Sequence, residues 1–115
     1  MAEECIFCRI VAGEVPSDIV YQDEDFLAFR DISPQAPTHL LIIPKIHITS
    51  SAELIEGQQE LVGRLIMIAR NLAEKEEIAK RGYRLVMNCG PDGGQAVPHL
   101  HLHLIGGMRL DDRLG

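Results

Sequence analysis

The run His99-Leu100-His101-Leu102-His103-Leu104-Ile105 places three of the chain's five histidines at alternate positions. Strict alternation of polar and apolar residues is the pattern of a β-strand, whose successive side chains point to opposite faces. The three imidazoles then share one face and the leucines the other. On a helix, successive histidines would be turned by about 200° and would not converge. A neutral imidazole is a fair nucleophile toward phosphorus, and neighbouring imidazoles can orient it or carry its protons. Metal binding is the competing chemistry, and spacing limits it. Alternate strand residues are roughly 6.6–6.8 Å apart, which puts the outer two about 13 Å apart. A zinc ion sits only about 2 Å from each ligand nitrogen. One ion could join two neighbours but hardly all three, so at least one histidine is left for other work. Clustered titratable groups of this kind mark a candidate site.

A second group with chemistry of its own is Cys5 and Cys8. Three residues apart on a helical turn, both thiols point the same way, and Cys-x-x-Cys is a familiar zinc half-site. A thioredoxin-like redox pair fits less well, because no strand precedes it and no βαβ unit surrounds it. Two small buried hydrophobes on a first helix would also account for the pair. Cys89 lies in a glycine-rich loop and receives no role.

These side chains need elements to position them. Residues 5–12 read as a short amphipathic helix ended by Gly13. Residues 18–21 and 26–29 are short β-rich runs separated by the acidic turn Gln22-Asp23-Glu24-Asp25, which predicts a hairpin. Two prolines make residues 31–37 a loop, and a third strand at residues 39–43 is stopped by Pro44. The long helix spans residues 58–77. Leu61, Leu65, Ile68 and Leu72 recur there at helical spacing, and Val62, Ile66, Ala69 and Ala73 widen the stripe. That is a helix laid on a sheet. A strand at 83–88, a loop at 89–95 and the histidine strand at 99–105 complete the order β-β-β-α-β-β. This order lacks regular β-α alternation and predicts an α+β fold with a mainly antiparallel sheet of about five strands. The leucines of the last strand should bury against the long helix, leaving the histidines on an open surface.

A chain of 115 residues fits one domain, 1–115. A deep enclosed chamber is not expected within one subunit, so a site should lie on an open sheet face or at a dimer seam. The net charge of −6 comes without any block of lysines and arginines, which excludes the electrostatic footprint of a nucleic-acid polymer reader. A small anion could still be held by backbone N–H groups and imidazoles. No run of about eighteen apolar residues occurs, so no membrane span is expected. The acidic N-terminus does not read as a secretory signal. Three cysteines cannot all pair within one chain, which points to a reducing compartment, by default the cytoplasm.

The motif HLHLHLI resembles the H-φ-H-φ-H-φ-φ signature of the histidine triad family, and the chain is most similar to its Hint-type nucleotide-binding branch. The resemblance also runs through Asp31-Ile32-Ser33-Pro34-Gln35-Ala36-Pro37-Thr38-His39, Ile43-Pro44-Lys45, Gly82-Tyr83-Arg84 and Asn88 through Gln95. It implies a homodimer with sheets joined edge to edge and one purine nucleotide site per subunit. The implied reaction is cleavage of the P–N bond of adenosine or guanosine 5′-phosphoramidates, releasing the nucleoside monophosphate. By position, His101 matches the nucleophile that forms a nucleotidyl-histidine. His103 and His39 match the supporting histidines, and His99 is the first triad member, near the leaving group. Asp31 matches the ribose-binding carboxylate, whose two oxygens suit paired hydroxyl donors. A turn before Ser33-Pro34 would equally explain Asp31. Ile32, Phe29, Ile6 and Phe7 match base-contacting residues, although ordinary core packing would account for all four. Asn88 and Gly93-Gly94-Gln95-Ala96 match the phosphate-side loop, where glycines let backbone N–H groups approach an anion.

Two departures stand out. Ala96 replaces a common serine, and the segment after Gly107, Met108 to Gly115, lacks the Trp-Pro-Pro-Gly tail of close Hint relatives. The resemblance also supports a structural zinc held by Cys5, Cys8, His47 and His99, a closed four-ligand site with no open position. Other readings remain. Sister branches act on dinucleoside polyphosphates or nucleotide sugars with the same nucleophile, and a nucleotide-binding regulatory module would use the site without needing turnover.

Overall fold

The computed structural model describes residues 5–112. The acidic first four residues and the last three of the altered C-terminal segment lie outside the described residues. The elements are α1 (Ile6–Val11), β1 (Ile19–Gln22), β2 (Phe26–Arg30), β3 (Thr38–Pro44), α2 (Gln59–Lys75), β4 (Tyr83–Val86) and β5 (Leu102–Gly106). The five strands form one antiparallel sheet in the order β1-β2-β3-β5-β4. The α+β architecture expected from the element order is the one found. No described helix is long and apolar enough to cross a membrane.

The hairpin between β1 and β2 forms because Asp23 closes it. Its Oδ1 accepts the N–H groups of Asp25 and Phe26, each at 2.8 Å, and its Oδ2 accepts the Tyr21 hydroxyl at 2.6 Å. Strand alternation then sorts the side chains onto two faces. Phe26, Ala28, Leu40, Ile42, Leu100, Leu102 and Leu104 pack with Leu65, Ile68, Ala69 and Leu72 of α2. Leu27, Phe29, Leu41 and Ile43 pack on the opposite face with Cys5, Phe7 and Ile10 around α1. The C-terminal end of α2 is tied down by Arg30, whose guanidinium donates two 2.9 Å bonds to Glu76.

The histidine segment departs from expectation in two ways. The ladder of β5 against β3 begins at Leu102, opposite Ile42, so His99 and His101 precede the strand. Beyond that pair β3 offers Pro44, which has no N–H for a ladder, and Leu100 N–H bonds instead to the Ile48 carbonyl at 2.6 Å. The second correction concerns exposure. His99 and His101 retain only 0% and 5% of their accessible surface, because α1 covers them. The Phe7 ring meets His101 edge-on at 5.2 Å and His99 at 5.8 Å. Of the triad, only His103 is half-buried. The leucines behave as expected and lie in the α2 core.

Candidate active site and candidate metal centre

Two groups of side chains form on the α1 face, and hydrogen bonds set the tautomers of His99, His101, His39 and His103 within them. At the first, Cys5 is the N-cap of α1 and its sulfur accepts the Cys8 N–H, so both thiols lie on the first helical turn. Cys5 Sγ is 3.3 Å from His99 Nδ1, Cys8 Sγ is 3.6 Å from the same nitrogen, and Cys8 Sγ is 3.3 Å from His47 Nδ1. All four ligand-type atoms lie within 4.8 Å of one another. His99 Nε2 is 2.8 Å from the Pro44 carbonyl. A carbonyl only accepts, so the ring proton sits on Nε2 and the Nδ1 lone pair faces the sulfurs. That is the tautomer a metal-binding histidine needs, held by an outer-shell carbonyl. Burial and then Cys5 push the Cys8 thiol up to about 11. Coordination to a dication favours the thiolate and offsets that penalty. The donor set and its second shell therefore fit tetrahedral zinc.

The second group is His101, His103, His39 and Asp31. His101 Nδ1 is 2.7 Å from the His99 carbonyl, so this nitrogen carries the proton and Nε2 keeps its lone pair. His103, on β5, faces Leu41 of β3, and the diagonal position on that face is His39. His39 Nδ1 accepts the Gln35 main-chain N–H at 3.1 Å, which leaves its ring proton on Nε2. That nitrogen lies 2.9 Å from His103 Nδ1 and 3.4 Å from Asp31 Oδ2. His103 Nδ1 is then the acceptor and its own proton is on Nε2. The His101 and His103 ring centres are 5.0 Å apart.

Burial, with His101 and His39 adding to it, pushes His103 down to about 4. Burial also lowers His39, against the opposing charge of Asp31. Both rings are therefore neutral at physiological pH. Asp31, His39 and His103 also bring ligand-type atoms within 4.8 Å, yet the group differs from the cysteine site. The Gln35 N–H occupies His39 Nδ1, so Nε2 presents a proton rather than a lone pair. This geometry suits proton transfer better than metal binding.

The remaining residues singled out by sequence fall into two sets. Phe7 and Phe29 are buried and touch edge-on at 5.4 Å, packing beneath the histidines. Ile6 and Ile32 are exposed, Ile32 to 95%. Asn88 donates to the Gly93 carbonyl at 2.7 Å. Gln95 accepts the Gly90 N–H and donates to the Thr49 and Val97 carbonyls. These two side chains brace the loop, and Gly94 takes a positive φ of 79° within it. Ala96 is exposed beside them. Asp31 makes both the turn and the site, because Oδ1 accepts the Ser33 N–H at 2.8 Å while Oδ2 faces His39. Sequence reasoning did not join Asp31 or Gln35 to His39. The available signal was their position at either end of, and within, one proline-braced loop.

Sheet, helix and clustered imidazoles together define a histidine triad protein. Residues 12–110 match the HIT domain, and the chain belongs to the HIT family. It is 54% identical over 114 residues to the purine nucleoside phosphoramidase of Escherichia coli K12, covering 99% of this chain and 96% of that one. It is 48% identical over 108 residues to the 14 kDa zinc-binding protein of Zea mays, covering 92% of this chain and 84% of that one. The crystal structure of a HIT family hydrolase from Legionella pneumophila superposes with a TM-score of 0.94 at 48% identity, covering 96% of this chain and 99% of that one.

Proposed function

We propose that this chain is a hydrolase of purine nucleoside 5′-phosphoramidates, with His101 as the nucleophile. The observation that carries the reading is the His101 tautomer: Nδ1–H is tied to the His99 carbonyl, so the Nε2 lone pair is free to attack. In the first step Nε2 forms a bond to the α-phosphorus, the P–N bond breaks, and the amine leaves with a proton. The His103 Nε2–H, backed by His39 and Asp31, is placed to hold a phosphate oxygen; because both rings are neutral, the proton on the departing nitrogen is one it takes from solvent. In the second step water attacks the nucleotidyl-histidine, the bond between His101 Nε2 and phosphorus breaks, the water's proton passes to solvent, and the nucleoside monophosphate is released. The relative from E. coli carries the name of this activity.

Binding would use the same face. The N–H groups of Gly94, Gln95 and Ala96 meet the phosphate, so the missing serine hydroxyl at residue 96 is replaced by backbone donors. Asp31 has lone pairs left for the ribose hydroxyls. The exposed Ile6 and Ile32 cover the base, with Phe7 and Phe29 supporting them from below. Zinc, when bound by Cys5, Cys8, His47 and His99, would tie α1 to the segment that precedes β5. The whole of residues 1–115 acts as one domain in the cytoplasm. The half-buried edge strand β4 suits an edge-to-edge homodimer, since an unpaired edge is a liability in a short chain.

Release of AMP from adenosine 5′-phosphoramidate, measured beside a diadenosine polyphosphate, tests the reading. The phosphoramidate should be the faster substrate. Cleavage of the polyphosphate alone would move the activity to the sister branches, and tight AMP binding with no turnover of either would leave a binding module.

A further inference from the structure

Gln35 was not among the residues that chemistry singled out, and its side chain is exposed. Its main-chain N–H nevertheless ends inside the site. We propose that this N–H is a positioning group that fixes the tautomers of His39 and His103, so that His103 presents a proton donor to the substrate phosphate. The inference rests on the phosphoramidase reading for its catalytic consequence, but not for its tautomers.

The argument follows the protons. His39 has a donor at one ring nitrogen and acceptors at the other: Gln35 N–H at Nδ1, 3.1 Å away, and Asp31 Oδ2 with His103 Nδ1 at Nε2. Both ends favour Nε2–H. With Nδ1–H instead, two N–H groups would face each other at Gln35, and a bare lone pair would face the Asp31 carboxylate. His103 would then place its own proton on Nδ1 to meet the His39 lone pair. Its Nε2 would present a second lone pair beside that of His101, and neither ring would donate to an anionic phosphate. The main-chain N–H, reinforced at the other ring nitrogen by the Asp31 carboxylate, thus sets the polarity of the side chain two residues from the nucleophile.

The loop is built to hold that N–H in place. Ser33 N–H bonds to Asp31 Oδ1 at 2.8 Å, the Gln35 side chain donates to the Ser33 carbonyl at 3.0 Å, and Asp31 N–H bonds to the His39 carbonyl at 3.0 Å. Pro34 and Pro37 restrict the backbone on either side.

Ring-nitrogen NMR of histidine-labelled protein reads the tautomers directly, without substrate. In the natural chain His39 and His103 should each show a bare Nδ1 and a protonated Nε2. Gln35→Pro, which deletes the N–H, should shift both rings toward the other tautomer and lower kcat roughly ten- to hundredfold with KM little changed. Gln35→Ala keeps the N–H and should keep both tautomers. If the proline variant does not fold, an ester in place of the amide at residue 35 removes only the N–H. A natural chain with His39 protonated at Nδ1 would overturn the proposal. So would a folded proline or ester variant that keeps both tautomers, whatever its rate. Absence of turnover in the natural chain would count against the phosphoramidase reading while leaving the tautomer pattern intact.

Discussion

Replacing His101 with alanine is expected to lower AMP release from adenosine 5′-phosphoramidate by at least about a thousandfold, with AMP still bound at similar affinity. The size of the effect follows from what the other imidazoles are doing. The His99 lone pair faces two sulfurs, that of His39 accepts the Gln35 N–H, and that of His103 accepts from His39. Among these four rings, His101 is the one whose lone pair is left for phosphorus. A neighbour cannot take over without giving up its own hydrogen bond. Because Phe7 packs on the His101 ring, a melting curve should accompany the assay to separate lost chemistry from lost structure. A folded variant that keeps more than about a tenth of the natural rate would remove His101 from the nucleophile's role.

The second large effect concerns stability. Zinc added to metal-stripped protein should raise the melting temperature by about 10 °C when the free metal is roughly a hundredfold above its dissociation constant. Linkage at that ratio is worth about 2.7 kcal/mol, and a domain of this size gains roughly 4 °C per kcal/mol. Cys8→Ala should abolish the increment and stoichiometric zinc binding together, because it removes a sulfur set against both His47 and His99. The metal should matter less to the chemical step, since a closed four-ligand centre offers no position to water or substrate. An equal increment in the variant, or none in the natural chain, would contradict the assignment of this site.

Much of the fold was legible because periodicity is local. The α2 stripe of Leu65, Ile68 and Leu72 and the alternation of Leu100, Leu102 and Leu104 each placed their residues in the core where they are found. The helix itself is Gln59–Lys75, a little shorter than the expected span 58–77. The long reach of the last strand was misread because alternation persists through His99 and His101 while the ladder does not. What ends the ladder is Pro44 and the Ile48 carbonyl, both supplied by distant sequence. The buried histidines were misread for a similar reason, since nothing in the heptapeptide says that Phe7 will cover it. His39, Asp31 and Gln35 meet only when the proline loop closes, so their hydrogen bonds have no periodic signature. The cysteine pair is the opposite case, because spacing alone put both thiols on one helical turn.

The central claim is that two displacements occur at phosphorus, the first by His101. Hydrolysis in ¹⁸O-water of an adenosine 5′-phosphoramidothioate of one known configuration tests it, whether or not an intermediate accumulates. Each in-line displacement inverts phosphorus, so attack by His101 followed by water predicts net retention. Net inversion would mean that water attacks directly, and would contradict the covalent account.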